Sequence, residues 1–258
     1  MNQTIIMIHG MWGSGWYWAN YKNYFEAKGY RCIVPTLRYH DVNPKSAPPK
    51  ELGTTSILDY ASDLEELIKE IGGQPIIIGH SMGGLIAQIL ASRGLASAAV
   101  LLCPASPSGI LALTPSVIKS FQSVLFRWAF WKTAMRQTFK EAVYSMLHLL
   151  PAEQQKQTYE RFVYESGRAA FEIGFWLLDS KKATQVNEKK VTCPMLVISG
   201  AEDRITPAAV VKKIREKYKS ISAYKEFPNH AHWIMCEPKW EEISEFIHDW
   251  LNREMKSA

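Results

Sequence analysis

The stretch Pro75 to Ala91, PIIIGHSMGGLIAQILA, constrains this chain more than any other. Ile76-Ile77-Ile78 is a short β-branched apolar run, and Leu85, Ile86, Ile89 and Leu90 recur at helical spacing. Between them lies Gly79-His80-Ser81-Met82-Gly83, a G-x-S-x-G, followed by Gly84. The pattern reads strand, sharp turn, helix. A serine lifted clear of a strand end needs a tight, strained turn, and bulky side chains two residues away would strike the strand or the helix. Glycines at 79 and 83 remove those clashes. The helix that follows aims its first N–H groups at the serine oxygen, where negative charge collects during acyl transfer.

The rest of the chain alternates strand and helix around this stretch. Strands are expected at 4–9, 31–35, 74–79, 98–103, 194–200 and 222–227, the last less apolar and so near an edge. Helices are expected at 16–28, 56–71 and 82–94, after Thr206-Pro207, and from Pro238 onward. Ser56-Ile57-Leu58-Asp59 reads as a capping box with a shorter acid. Near-continuous apolar strands alternating with helices predict an α/β fold, with a parallel sheet covered on both faces.

Residues 105–190 break the alternation. No strand is expected there, and four helices are: one opened by Thr114-Pro115, then 133–149, one opened by Pro151, and 168–178. Val117, Ile118, Phe121, Val124, Leu125 and Trp128 form one apolar stripe. The division predicted is a core of 1–104 and 191–258 with a helical insertion at 105–190. Its aromatic part, Phe121 to Trp131 with Phe175-Trp176, reads as packing on the core or as the lining of an apolar pocket. Lys119, Arg127, Lys132 and Arg136 beside these rings leave membrane-surface association as a third reading.

Active sites of parallel sheets sit at the carboxyl ends of the strands. That rule gathers His9-Gly10-Met11-Trp12, Ser81, the acids Glu202 and Asp203, and His230-Ala231-His232 along one edge. Nucleophile, carboxylate and imidazole are what acyl transfer needs. Asp203 also reads as a helix-cap residue, and either histidine could serve as base. His9 reads as a loop-shaping residue and His80 as elbow filler. His40, His148 and His248 have no readable partner and are expected in solvent or in packing.

Composition narrows the classes. The chain has 258 residues, 47% hydrophobic and 21% charged, with a net charge of +5, which fits one ordinary domain with or without an insertion. No dense basic run interleaves with aromatics, so no nucleic-acid partner is expected. Cys32, Cys103, Cys193 and Cys236 form no C-x-x-C pair and read as free thiols of a reducing compartment. With no signal-peptide pattern and no apolar run of about 18 residues, a cytoplasmic protein without a membrane span is expected. No cluster has metal-ligand spacing, so no metal and no cofactor are predicted.

Taken together, HGMWGSGWYW (9–18), GHSMGG (79–84), SGAEDRITP (199–207) and HWIMCEP (232–238) resemble the α/β-hydrolase superfamily, in its order of serine, acid, histidine. The resemblance covers nearly the whole chain. It implies a six-stranded, mainly parallel sheet in the order second, first, third, fourth, fifth, sixth, with a helical cap inserted at 105–190. It assigns Ser81 as nucleophile, Asp203 as acid and His232 as base, with tryptophan following the base. The backbone N–H groups of Met11 and Met82 would form the oxyanion hole. The implied activity is carboxylic ester hydrolysis on a small-molecule substrate with an apolar acyl or aryl part. Lactone, thioester and carbon–carbon bond hydrolysis, and perhydrolysis as in cofactor-free haloperoxidase-like members, use the same residues. A small-molecule receptor that retains them is the alternative of another class.

Overall fold

The computed structural model describes residues 3–255. Eight strands occur among them: β1 (Thr4–Ile8), β2 (Arg31–Ile33), β3 (Ile76–His80), β4 (Ala98–Leu102), β5 (Ala134–Met135), β6 (Glu165–Ser166), β7 (Met195–Gly200) and β8 (Ser222–Phe227). Six form one sheet in the order β2-β1-β3-β4-β7-β8, and every neighbouring pair in it is parallel. The register runs Ile6 to Ile77, Ile78 to Val100 and Val100 to Leu196. The strand order is the one expected, and β8 is an edge strand.

The physical reason is visible in burial. Every residue of β3, β4 and β7 is buried, while β8 is mostly half-exposed. A strand with both faces covered gains from apolar residues at every position; an edge strand gains less. Helices α1 (Ala19–Ala27), α2 (Ile57–Ile71), α3 (Met82–Ser92), α9 (Ala208–Lys217) and α10 (Trp240–Glu254) flank the sheet, and α4 (Pro115–Ser120), α5 (Gln122–Leu125), α6 (Phe139–Ala142), α7 (Ala152–Glu160) and α8 (Gly167–Gly174) belong to segment 105–190. α1 packs with α10 and α2 with α3; right-handed crossovers from a sheet whose order reverses at β1 put α1 on the face opposite α2 and α3. The Ser56 capping box forms, with the Ser56 N–H donating to Asp59 at 2.8 Å.

Segment 105–190 departs from the all-helical expectation. β5 and β6 pair antiparallel, Ala134 with Ser166 and Met135 with Glu165. The helix expected over 133–149 therefore begins late. Thr138 and Glu141 form a capping box that starts α6, which continues as a π-helical turn over Val143–Leu147. The apolar stripe is also narrower than expected. Ile118 is 42% exposed, and Trp128, beyond the break at Phe121 between α4 and α5 where the helical phase is lost, is 89% exposed.

Buried carboxylates fasten this segment to the core. Glu172 accepts from the Ser56 hydroxyl, the Ile57 N–H at 2.8 Å and Arg168 at 2.7 Å. Glu165 accepts from Tyr60 at 2.7 Å and from its neighbour's N–H, and lies 3.0 Å from His40 Nε2. His40 is thus buried, packed against His9 and Tyr60 rather than facing solvent, and it also has a carboxylate partner that the sequence did not reveal. Its pKa is raised: burial opposes the charge, but the Glu165 charge and its hydrogen bond outweigh it.

The turn after β3 depends on close backbone contact. A Cβ on Gly83 would lie 2.2 Å from the Ile8 carbonyl oxygen, and one on Gly79 would lie 2.3 Å from the Gly83 carbonyl oxygen. Backbone cannot retreat from such a contact without moving β1 or α3. Gly83→Ala is expected to cost more than about 2 kcal/mol in urea denaturation. Gly94→Ala, at a positive φ with open space around it, should cost about 1 kcal/mol.

Candidate active site

Ser81 sits at the carboxyl end of β3 with φ 54° and ψ −118°, outside the regions L-residues favour. The conformation is held from both sides. Its N–H donates to the Leu102 carbonyl at 3.0 Å, and its own carbonyl accepts from Gly84, Leu85 and Ala105. These bonds outweigh a local strain on the order of 1–3 kcal/mol.

His232 meets the serine from the loop after β8. Its Nε2 is 2.9 Å from Ser81 Oγ, and its Nδ1 is 2.8 Å from Asp203 Oδ2. A carboxylate can only accept, so Nδ1 carries a proton and Nε2 is left to accept from the serine hydroxyl. All three residues are buried. Asp203 Oδ1 accepts from the N–H groups of Ile205 and Thr206. Burial alone would push the Asp203 carboxyl up, but the facing His232 and the bonds from His232 and Thr206 hold it at about 2.

Neighbours fix the loop that carries the imidazole. The His232 carbonyl accepts from His80 Nε2 at 2.8 Å. Trp233 is buried edge-on to Tyr17, with centroids 4.4 Å apart. Glu237 accepts from the Ala231 N–H at 2.8 Å and lies 3.2 Å from His230 Nδ1. His230 therefore belongs to the loop's scaffold, away from the serine. Glu202 is likewise apart, 4.0 Å from His148. His9 shapes its loop as expected: Nδ1 bonds the Gly10 carbonyl and Nε2 accepts from the Leu37 N–H.

Met11 and Met82 line the same cavity as Ser81. Met82 is the first residue of α3, so its N–H has no acceptor within the helix. A Cβ on Gly10 would fall 2.9 Å from Ser81 Cβ, so the backbone entering Met11 passes directly against the serine. No charged side chain lines the cavity. Phe121, Phe130 and Phe175 from segment 105–190 are among its walls. Ser106 is 3% exposed in that wall, and its hydroxyl has no hydrogen-bond partner.

The helix expected after Thr206-Pro207 begins at Ala208 with Pro207 at its N-cap, and the Thr206 hydroxyl lies 2.7 Å from Asp203 Oδ2 and 3.0 Å from the Cys103 carbonyl. A hydroxyl three residues after an aspartate is the signal that could have revealed this role. Cys103, Asp203 and His232 also present ligand-type atoms within 4.8 Å of one another. The acid and the imidazole already bond each other, and burial first, then the Asp203 charge, holds the Cys103 thiol well above its usual range.

A model of the alpha/beta hydrolase fold family matches residues 3–238. Protein ABHD8 of Bos taurus is 24% identical over 261 residues, covering 96% of this chain and 56% of that protein, so the chain spans about half the length of this relative. Among solved structures, a pyrethroid hydrolase from Sphingobium faniae JZ-2 superposes with a TM-score of 0.74 at 18% identity, covering 99% of this chain and 100% of that one. A monoacylglycerol lipase from Paleococcus ferrophilus gives 0.69 at 21% identity, covering 96% and 93%.

Burial, with His40 nearby, lowers His9 to about 3, against a partly compensating bond to Gly10. The unfolded chain takes up this proton near pH 6.5. The folded chain resists it, so the neutral ring's contribution is complete above about pH 6.5 and is lost as pH falls toward 3, by at most about 1.4 kcal/mol per pH unit. In urea denaturation, His9→Gln should be less stable than wild type at pH 7.5. It should then lose less between pH 7 and 5.

Proposed function

This chain belongs to the alpha/beta hydrolase fold family, and we propose that it is a serine hydrolase that cleaves a carboxylic ester through an acyl-Ser81 intermediate. One observation carries the reading: the unbroken relay of 2.9 Å from Ser81 to His232 and 2.8 Å from His232 to Asp203. In this reading Ser81 Oγ attacks the ester carbonyl while His232 Nε2 takes its proton. Asp203 keeps the proton on Nδ1 and stabilises the imidazolium. The N–H groups of Met11 and Met82 hold the oxyanion, each worth about 10²–10³ in rate. The imidazolium then protonates the departing alcohol. Water enters, gives its proton to His232 and attacks the acyl group, which releases the acid and restores Ser81.

The cavity favours an uncharged substrate. A charged acyl group would lose its hydration with no counter-charge among the lining residues to replace it. An apolar acyl or aryl group would bury its surface against Phe121, Phe130 and Phe175 instead. The names of the two structural neighbours, a hydrolase and a lipase, point the same way. Segment 105–190 then acts as the cap of the site. Four cysteines without disulfides fit a reducing, cytoplasmic setting, and among the described residues no helix is long and apolar enough to cross a membrane.

Turnover of p-nitrophenyl esters with short and medium acyl chains tests the proposal. Wild type should hydrolyse the medium-chain esters, and Ser81→Ala should lose on the order of 10⁴–10⁶ in kcat. A fluorophosphonate should label wild type and not the variant. Labelling without turnover of any ester would point instead to a small-molecule receptor that keeps the triad. Thr206→Val, which retains the shape and removes the hydroxyl beside Asp203, should lower kcat/KM about tenfold or more while melting within a few degrees of wild type.

A further inference from the structure

The outer face of segment 105–190 leaves large apolar side chains in water. Phe126 and Trp128 are 83% and 89% exposed, and Leu178 is 72% exposed. These three line one shallow surface groove with Trp131, Phe171 and Phe175. A concentrated apolar surface of this kind marks a place that something else covers.

Charge says what covers it. Arg127 lines the groove and Lys132 follows Trp131, while Lys181 and Lys182 lie just beyond Leu178. All four are exposed, and none has an ion-pair partner among the described residues. The one acid within 121–132 and 175–182 is Asp179, which is buried and bound to Arg168. Aromatic and aliphatic tips among unpaired cations match the headgroup boundary of an anionic bilayer. A second copy of the chain would bring the same cations face to face, which disfavours self-association.

The groove also shares a wall with the catalytic cavity. Leu125, Phe130 and Phe175 line both, so the patch is the outer side of a wall whose inner side faces Ser81. We propose that this patch docks the protein on an anionic lipid surface, with Phe126, Trp128 and Leu178 entering the acyl-chain boundary and Arg127 and Lys132 meeting headgroup phosphates. The docking stands on the surface alone. Its corollary, that an apolar ester passes from the bilayer to Ser81 past this wall, rests on the hydrolase reading above.

Binding is measured on Ser81→Ala by co-sedimentation with vesicles, so that its outcome is independent of any turnover. Vesicles containing about one third phosphatidylglycerol should pull the protein down, and pure phosphatidylcholine vesicles should do so much less. Adding Phe126→Ser, Trp128→Ser and Leu178→Ser should weaken partitioning roughly 100-fold, and Arg127→Gln with Lys132→Gln about tenfold on the anionic vesicles. Thermal melting checks that both sets fold. No binding to either vesicle, or binding undiminished in the triple variant, overturns the proposal. So does a concentration-dependent dimer in sedimentation equilibrium that the triple variant abolishes, found without vesicle binding.

Discussion

Backbone contact between the end of β1 and the start of α3 is the constraint on which the rest hangs. Gly83 lies against the Ile8 and His9 carbonyls so closely that no side chain fits between. That contact sets where α3 begins and how sharply the chain turns at Ser81. It also brings the β1 loop, with Gly10 and Met11, against the serine. The positive φ of Ser81 is a consequence: once both flanking elements are pinned, the residue joining them has little conformational choice.

At this point the side-chain polar atoms of His232 and Asp203 all have partners: both Nδ1 and Nε2 of His232 are engaged, both Asp203 oxygens accept, and the His232 carbonyl is held by His80. Bonds at so many points hold the imidazole in one orientation. The same accounting attaches segment 105–190 through Glu165 and Glu172, whose carboxylates reach α2 from across the molecule. Removing one partner there would leave a buried charge unanswered, a larger loss than the pair itself is worth.

The sheet was legible because its signal is one-dimensional. Ile76 to Ile78, Ala98 to Leu102 and Met195 to Ile198 are apolar at every position, and their order followed from the family resemblance. Segment 105–190 was less legible because its elements are defined by long-range partners. Ala134 and Met135 are strand only because Ser166 and Glu165 lie opposite, and His40 is buried only because Glu165 reaches it. At the site, Ser81, Asp203 and His232 are brought together as the loop positions implied. The part played by the Thr206 hydroxyl was not legible, because its bond to Asp203 depends on how the loop before α9 folds.

The pairing of β4 with β7 sets an order of assembly. Ala99 lies beside Met195 in the middle of the sheet, so joining these strands closes a loop on the order of a hundred residues, all of segment 105–190 included. The entropy of closing so long a loop must be met before the hydrogen bonds of that pairing are gained. A nascent chain emerging from the ribosome can lay β1, β2, β3 and β4 side by side at once. It must then wait for about ninety more residues before β7 arrives, and through that interval the open flank of β4 is a sticky, unfinished margin that a chaperone would have reason to guard.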